Sequence, residues 1–105
     1  MTRLVFAEPA AHDLDSIIAY IALDNPEAAE KVFRTIVTTA ERLTDFPGLG
    51  RAGRLPETRE LAVSGQPYLI VYRAASDKVT VLAVFHGARD LARALAERDK
   101  ELPSQ

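Results

Sequence analysis

The chain has 105 residues, of which 48% are hydrophobic and 27% charged, the mixture of one small globular domain and not of a disordered segment. A formal charge of −2 at pH 7 and an isoelectric point near 5.6 lack the basic footprint of proteins that live by neutralising phosphates, which argues against direct nucleic-acid binding. The lack of cysteine excludes disulfides and thiolate metal sites, and His12 and His86 alone cannot build a histidine-rich metal centre.

Residues 3 to 6, Arg-Leu-Val-Phe, predict a short strand ended by Glu8-Pro9. The N-terminus turns polar again by Glu8, too soon for the apolar core of a signal peptide. Nor does any run approach the roughly 18 to 20 apolar residues of a membrane helix. These features fit a cytoplasmic protein, with no membrane partner expected.

Proline suits a first helical turn, and Leu14, Ile17, Ile18 and Ile21 form an apolar stripe over Pro9 to Leu23. Asp24-Asn25-Pro26 breaks this helix and starts another, with Asn25 as N-cap. The second helix, Pro26 to about Asp45, carries Ala29, Val32, Phe33, Ile36, Ala40 and Leu43 on one face, and Pro47-Gly48 stops it. Two helices so close in sequence predict an antiparallel hairpin.

The stretch FPGLGRAGRLPETRELAV, residues 46 to 63, concentrates Arg51, Arg54 and Arg59 on a Gly/Pro-rich segment read as irregular. Its bland reading is a solvated loop, with Glu57 and Glu60 as simple ion-pair partners. Its functional reading is a set of planar guanidinium forks offered to carboxylates or phosphates.

Leu61 to Val63, Tyr68 to Arg73 and Val79 to His86 are rich in β-branched and aromatic residues and read as an antiparallel meander whose last two strands are central. A hairpin turning through residues 75 to 78 sets Arg73 opposite Thr80 and leaves His86 about 20 Å further along. His86 and Arg89 stay near each other across Gly87. A thin stripe of Leu91, Ala92 and Leu95 predicts a final helix over 88–101, and 99–105 reads as a frayed tail. The layout is β-αα-βββ-α, an α+β domain spanning 1–105, with a helix hairpin on a small, twisted, mostly antiparallel sheet.

No nucleophile-and-base set stands out, because none of the serines sits in a nucleophile elbow. The glycines at 48, 50 and 53 match no phosphate-cradling motif and are read as turn-formers. His86 reads either as a polar strand end bonded to a neighbouring loop or as a general acid or base, and His12 as exposed.

Several motifs occur in order: A-x-x-D-L from Ala10, N-P-x-A-A from Asn25, F-P-x-x-G-R from Phe46, T-R-E-L from Thr58, P-Y-x-I-V-Y-R from Pro67, and H-x-x-R-D from His86. Together they span Leu4 to Asp90, and the chain resembles the ParE branch of the RelE/ParE toxin superfamily. The resemblance implies the toxin of a toxin–antitoxin pair, linked to plasmid stabilisation, neutralised by a ParD-like antitoxin and needing no cofactor. ParE-like members are described as poisoning DNA gyrase, whereas RelE-like members cut messenger RNA on the ribosome.

Against the ribonuclease pattern, Glu60 and Ala62 stand where two lysines would, Leu69 where an arginine would, and Leu95 where a tyrosine would; Arg89 keeps its basic character. A carboxylate at Glu60 opposes stabilisation of a developing phosphorane charge. A binding toxin without catalytic residues is therefore the favoured reading. Arg51, Arg54, Arg59, Tyr68, Arg73, His86 and Arg89 are its expected partner-binding residues. The alternatives are a ribonuclease using Arg59, His86 and Arg89, and a non-toxic antitoxin-binding module on the same fold.

Overall fold

In the computed structural model, which describes residues 2–87, the chain opens with β1 (Arg3–Phe6) and two helices, α1 (Glu8–Ala22) and α2 (Pro26–Asp45). Four strands follow: β2 (Arg51–Ala52), β3 (Arg59–Ala62), β4 (Tyr68–Ala74) and β5 (Lys78–His86). The expected helix over 88–101 and Arg89 lie outside the described residues.

Proline near its start and Glu8 in its first turn favour α1, although Ala7 offers it no side-chain cap. The second helix is capped as its sequence predicts, with the Asn25 Oδ1 accepting the Ala28 N–H at 3.1 Å. Arg42 complements the dipole in its last turn. Of its predicted stripe, Ala29, Ile36, Ala40 and Leu43 are buried, whereas Phe33 is largely exposed. The helices pack on each other, and both contact the sheet.

The sheet has five strands in the order β1-β5-β4-β3-β2, one more than the sequence suggested. The meander is antiparallel, with β4 and β5 central and Arg73 opposite Thr80 as expected. The first strand instead joins β5 in parallel, Arg3 beside Lys78 and Phe6 beside Val81. The added strand is β2, two residues of the supposedly irregular segment, with Arg51 opposite Glu60 and Ala52 opposite Arg59.

One face of the sheet carries Tyr68, Ile70, Tyr72, Val79, Val81 and Val84 into a core with Leu14, Ile36 and Leu43 of the helices. Leu69, Val71 and Ala83 form a smaller cluster on the other face, with Leu55 and Phe85 packed on it. The register shifts between Val71 and Tyr72, which pair with Ala83 and Val81 and leave Leu82 as an extra residue. That bulge reverses the alternation of β5, so Val84 and His86, not Ala83 and Phe85, continue the face begun by Val79 and Val81. It also re-aims the Val84 N–H, which the Asp13 carboxylate of α1 accepts at 3.1 Å. Asp13 thereby ties the helix hairpin to the strand that ends in His86.

Candidate functional site

The segment after α2 is held in place from the core. The Tyr72 hydroxyl, fully buried on β4, accepts the Gly50 N–H at 2.9 Å and donates to the Pro47 carbonyl at 2.7 Å. A Cβ on residue 50 would lie 2.8 Å from the Tyr72 ring and from the Glu60 carbonyl oxygen, so only glycine fits. Arg59 reinforces the same point by donating from Nη1 to the Gly50 carbonyl at 2.8 Å.

Glu60 holds the next turn. Its side chain is 2% exposed, its Oε2 accepts the Arg54 backbone N–H at 3.0 Å, and its Oε1 lies 3.6 Å from Arg51 Nη2. Arg51 remains 71% exposed, so the ion pair is closed on one side and wet on the other. The simple pairing read for Glu60 is therefore present for Arg51, while for Arg54 the carboxylate binds the backbone N–H and not the guanidinium.

The tip is a β-turn, with the Thr58 N–H donating to the Leu55 carbonyl at 3.3 Å and the Thr58 hydroxyl to the same oxygen at 2.7 Å. Pro56 fixes its first central position. Glu57 occupies the second at φ 61°, a left-handed conformation that suits glycine and strains a glutamate. The segment read as irregular is thus a short hairpin clamped to the sheet by Tyr72, Arg59 and Glu60.

Arg54, Arg59 and Arg73 come together around a cavity of about 790 Å³, with Leu55, Pro56 and Glu57 also on its wall. Arg73 is half-buried, and its Nε is buried with no hydrogen-bond partner among the described residues. Arg51, by contrast, stays with Glu60 outside this wall.

A second depression lies at the opposite end of β4. The Tyr68 and His86 rings meet edge to face, centroids 5.3 Å apart at 83°. With Ser16, Ile17 and Tyr20 of α1 they line a groove of about 420 Å³ between helix and sheet. Desolvation pushes the Tyr68 phenol above its ordinary pKa. Tyr20 also borders a neighbouring depression with Ile21, Leu23 and Ala28. Tyr20 and Leu23 are 78% and 86% exposed, an unusual amount of apolar surface beside one groove. His86 is exposed, with its ring against that of Tyr68, and the bond to the neighbouring loop comes from the next residue, the Gly87 N–H donating to the Pro67 carbonyl. His12 is exposed, as expected.

The expected partner-binding residues thus divide. Arg54, Arg59 and Arg73 gather at one end of β4 and Tyr68 and His86 at the other. Arg59 pairs with Tyr72 and His86 with Tyr68, four residues apart on β4 and on strands that flank it on opposite sides. The separation is about 13 Å along the strand alone. Sequence reasoning missed Tyr72 and Glu60 as anchors of the arginine hairpin, and Tyr20 and Leu23 as exposed apolar groups. The alternation in T-R-E-L was the available signal for Glu60, since Arg59 and Glu60 must face opposite ways on a strand. Among the described residues no cluster of three or more His, Asp or Glu side chains could hold a metal ion, and no helix is long and apolar enough to cross a membrane.

Comparison with known proteins places this geometry. The sequence model of the family described as the ParE toxin of the type II toxin–antitoxin system, parDE, matches residues 4–91. The Sinorhizobium fredii protein Y4kP is 42% identical over 84 residues, covering 80% of this chain and 86% of the relative. Toxin RelE2 of Caulobacter vibrioides is 34% identical over 89 residues, covering 85% and 99%. Among solved structures, the chromosomal ParDE system from P. aeruginosa superimposes with a TM-score of 0.74 at 28% identity, over 84% of this chain and 98% of that one. The free E. coli toxin RelE, a mutant form, shares the fold with a TM-score of 0.66 at 16% identity, over 97% and 98%.

Proposed function

The chain belongs to the ParE toxin family of type II toxin–antitoxin systems, and from that premise we propose that it poisons DNA gyrase by docking on it in the cytoplasm, without catalysis. A ParD-like antitoxin neutralises it. The observation that carries the reading is Glu60. Its carboxylate is buried on β3 and bonded to the Arg54 N–H, where the ribonuclease pattern would place a lysine. A fixed negative charge there would oppose a phosphorane instead of stabilising it. The distance between Arg59 and His86 supports the same reading, because a general acid or base and a charge stabiliser must reach one reacting group.

The groove between α1 and the sheet suits an antitoxin helix, which would lay its apolar side against Ile17, Tyr20 and Tyr68. The arginines favour protein surfaces carrying carboxylates and raise the encounter rate with them.

The test is expression of the chain without its antitoxin. Replication stops and DNA-damage signalling rises while messages stay intact. Codon-positioned cleavage of transcripts would overturn the proposal in favour of a ribonuclease, and unimpaired growth at high expression would favour a non-toxic module.

A further inference from the structure

We infer that the cavity bounded by Arg54, Arg59 and Arg73 is a carboxylate pocket for an acidic, apolar-flanked segment of the cognate antitoxin, separate from the helix groove at Tyr68 and His86. The inference rests on family membership and the antitoxin partner it implies, not on gyrase as the target.

Unspent charge is the first argument. Acidic residues outnumber basic ones in this chain, 15 to 13, yet among the described residues neither the Arg54 nor the Arg73 guanidinium has a hydrogen-bonded or ion-pair partner. Glu60 is committed to the Arg54 backbone N–H and to Arg51, and Glu57, on the same wall, forms no ion pair among the described residues. The Arg73 Nε is buried without an acceptor among the described residues, so no neighbouring carboxylate neutralises this guanidinium from within the fold. Two planar forks beside one cavity, both without a partner among the described residues, match the two oxygens of a carboxylate.

The wall selects among anions. Leu55 and Pro56 give it apolar surface, so a lone ion would fill it poorly and an acidic residue between apolar neighbours would fill it well. None of its lining residues is aromatic, which removes the stacking platform that single-stranded nucleic acid uses. Glu57, on the same wall and held at positive φ by the turn, repels a polyanion more than a single carboxylate. The net negative charge of the whole chain acts in the same direction.

The pocket and the groove lie at the two ends of β4, so one extended antitoxin segment can occupy both only if it runs along the sheet, and substitutions in the pocket need not disturb the groove.

The test measures the affinity of the full chain for the purified antitoxin encoded beside its gene, at two salt concentrations. Arg73→Gln and Arg54→Gln are each expected to weaken binding about tenfold to a hundredfold, mainly through faster dissociation. Arg73→Lys retains charge but not the fork and falls between Arg73→Gln and the native chain. Arg34→Gln, on the exposed face of α2, serves as the control and leaves affinity unchanged. Thermal melts confirm that each variant is folded. Folded Arg54 and Arg73 variants that bind the antitoxin as tightly as the native chain overturn the inference. So do variants that lose only gyrase inhibition, because the pocket would then belong to the target. A native chain that binds no antitoxin would instead remove the toxin–antitoxin premise itself.

Discussion

Tyr72 and Gly50 are fitted to each other: the phenol accepts the Gly50 N–H at 2.9 Å, and its ring stands where any side chain at residue 50 would have to go. Through this pair the core dictates the position of the arginine hairpin, since the same hydroxyl reaches Pro47 and Arg59 returns to the Gly50 carbonyl. Tyr72→Phe leaves a buried N–H and a carbonyl without their partner and should cost about 1–3 kcal/mol, lowering Tm by several degrees. Gly50→Ala should cost a similar amount through overpacking, whereas Gly48→Ala, with open space around it, should cost little. Thermal unfolding of the three variants checks the order.

Glu60 governs the second clamp. Glu60→Ala orphans the Arg54 N–H and empties a buried site, so a loss of about 1–3 kcal/mol is expected. Glu60→Gln keeps an acceptor and loses only the charge that Arg51 sees at 3.6 Å, and should cost less than the alanine change. Urea unfolding with an unchanged slope would confirm that stability, and not compactness, has moved. Equal losses for the two variants would mean that the backbone bond contributes nothing.

Asp13 makes the corresponding link between α1 and β5. Its bond to the Val84 N–H exists because the bulge at Leu82 turns that group away from the regular ladder. Asp13→Ala should destabilise by about 1–3 kcal/mol and speed hydrogen exchange at the Val84 amide. Asp13→Asn, which retains an acceptor oxygen, should protect that amide more than alanine does.

Tyr68 predicts an alkaline limit. Burial raises its folded-state pKa above the ordinary 10.0, so above pH 10 the folded chain keeps a proton that the unfolded chain releases. Its contribution is fully present below pH 10 and is lost as pH rises through the raised folded value. Urea midpoints measured from pH 8 upward should fall beyond pH 10, and Tyr68→Phe should flatten that fall. Parallel curves for the two proteins would contradict it.

Much of this architecture was legible in the residues. The Asn25-Pro26 start of α2, the apolar stripe of α1 and the Arg73–Thr80 register follow from capping, helical spacing and the length of one turn. The parallel docking of β1 did not follow, because a four-residue strand carries no signal for which neighbour it joins. The bulge was hidden for a related reason. A run of Val79, Val81, Leu82, Ala83 and Val84 is apolar on both faces, so the sequence has no alternation for the extra residue to interrupt. Its consequence is that His86 faces Tyr68 and the groove. The arginine hairpin was visible as a cluster but not as structure, because β2 depends on contacts with Tyr72 and Glu60, 22 and 9 positions away from Gly50 and Arg51.

Gyrase supercoiling in vitro tests docking without catalysis most directly. The purified chain, freed of its antitoxin and titrated against gyrase and relaxed plasmid, should inhibit supercoiling in proportion to its occupancy, and added antitoxin should restore it. Full supercoiling at saturating amounts of a folded chain that still arrests growth would contradict the account.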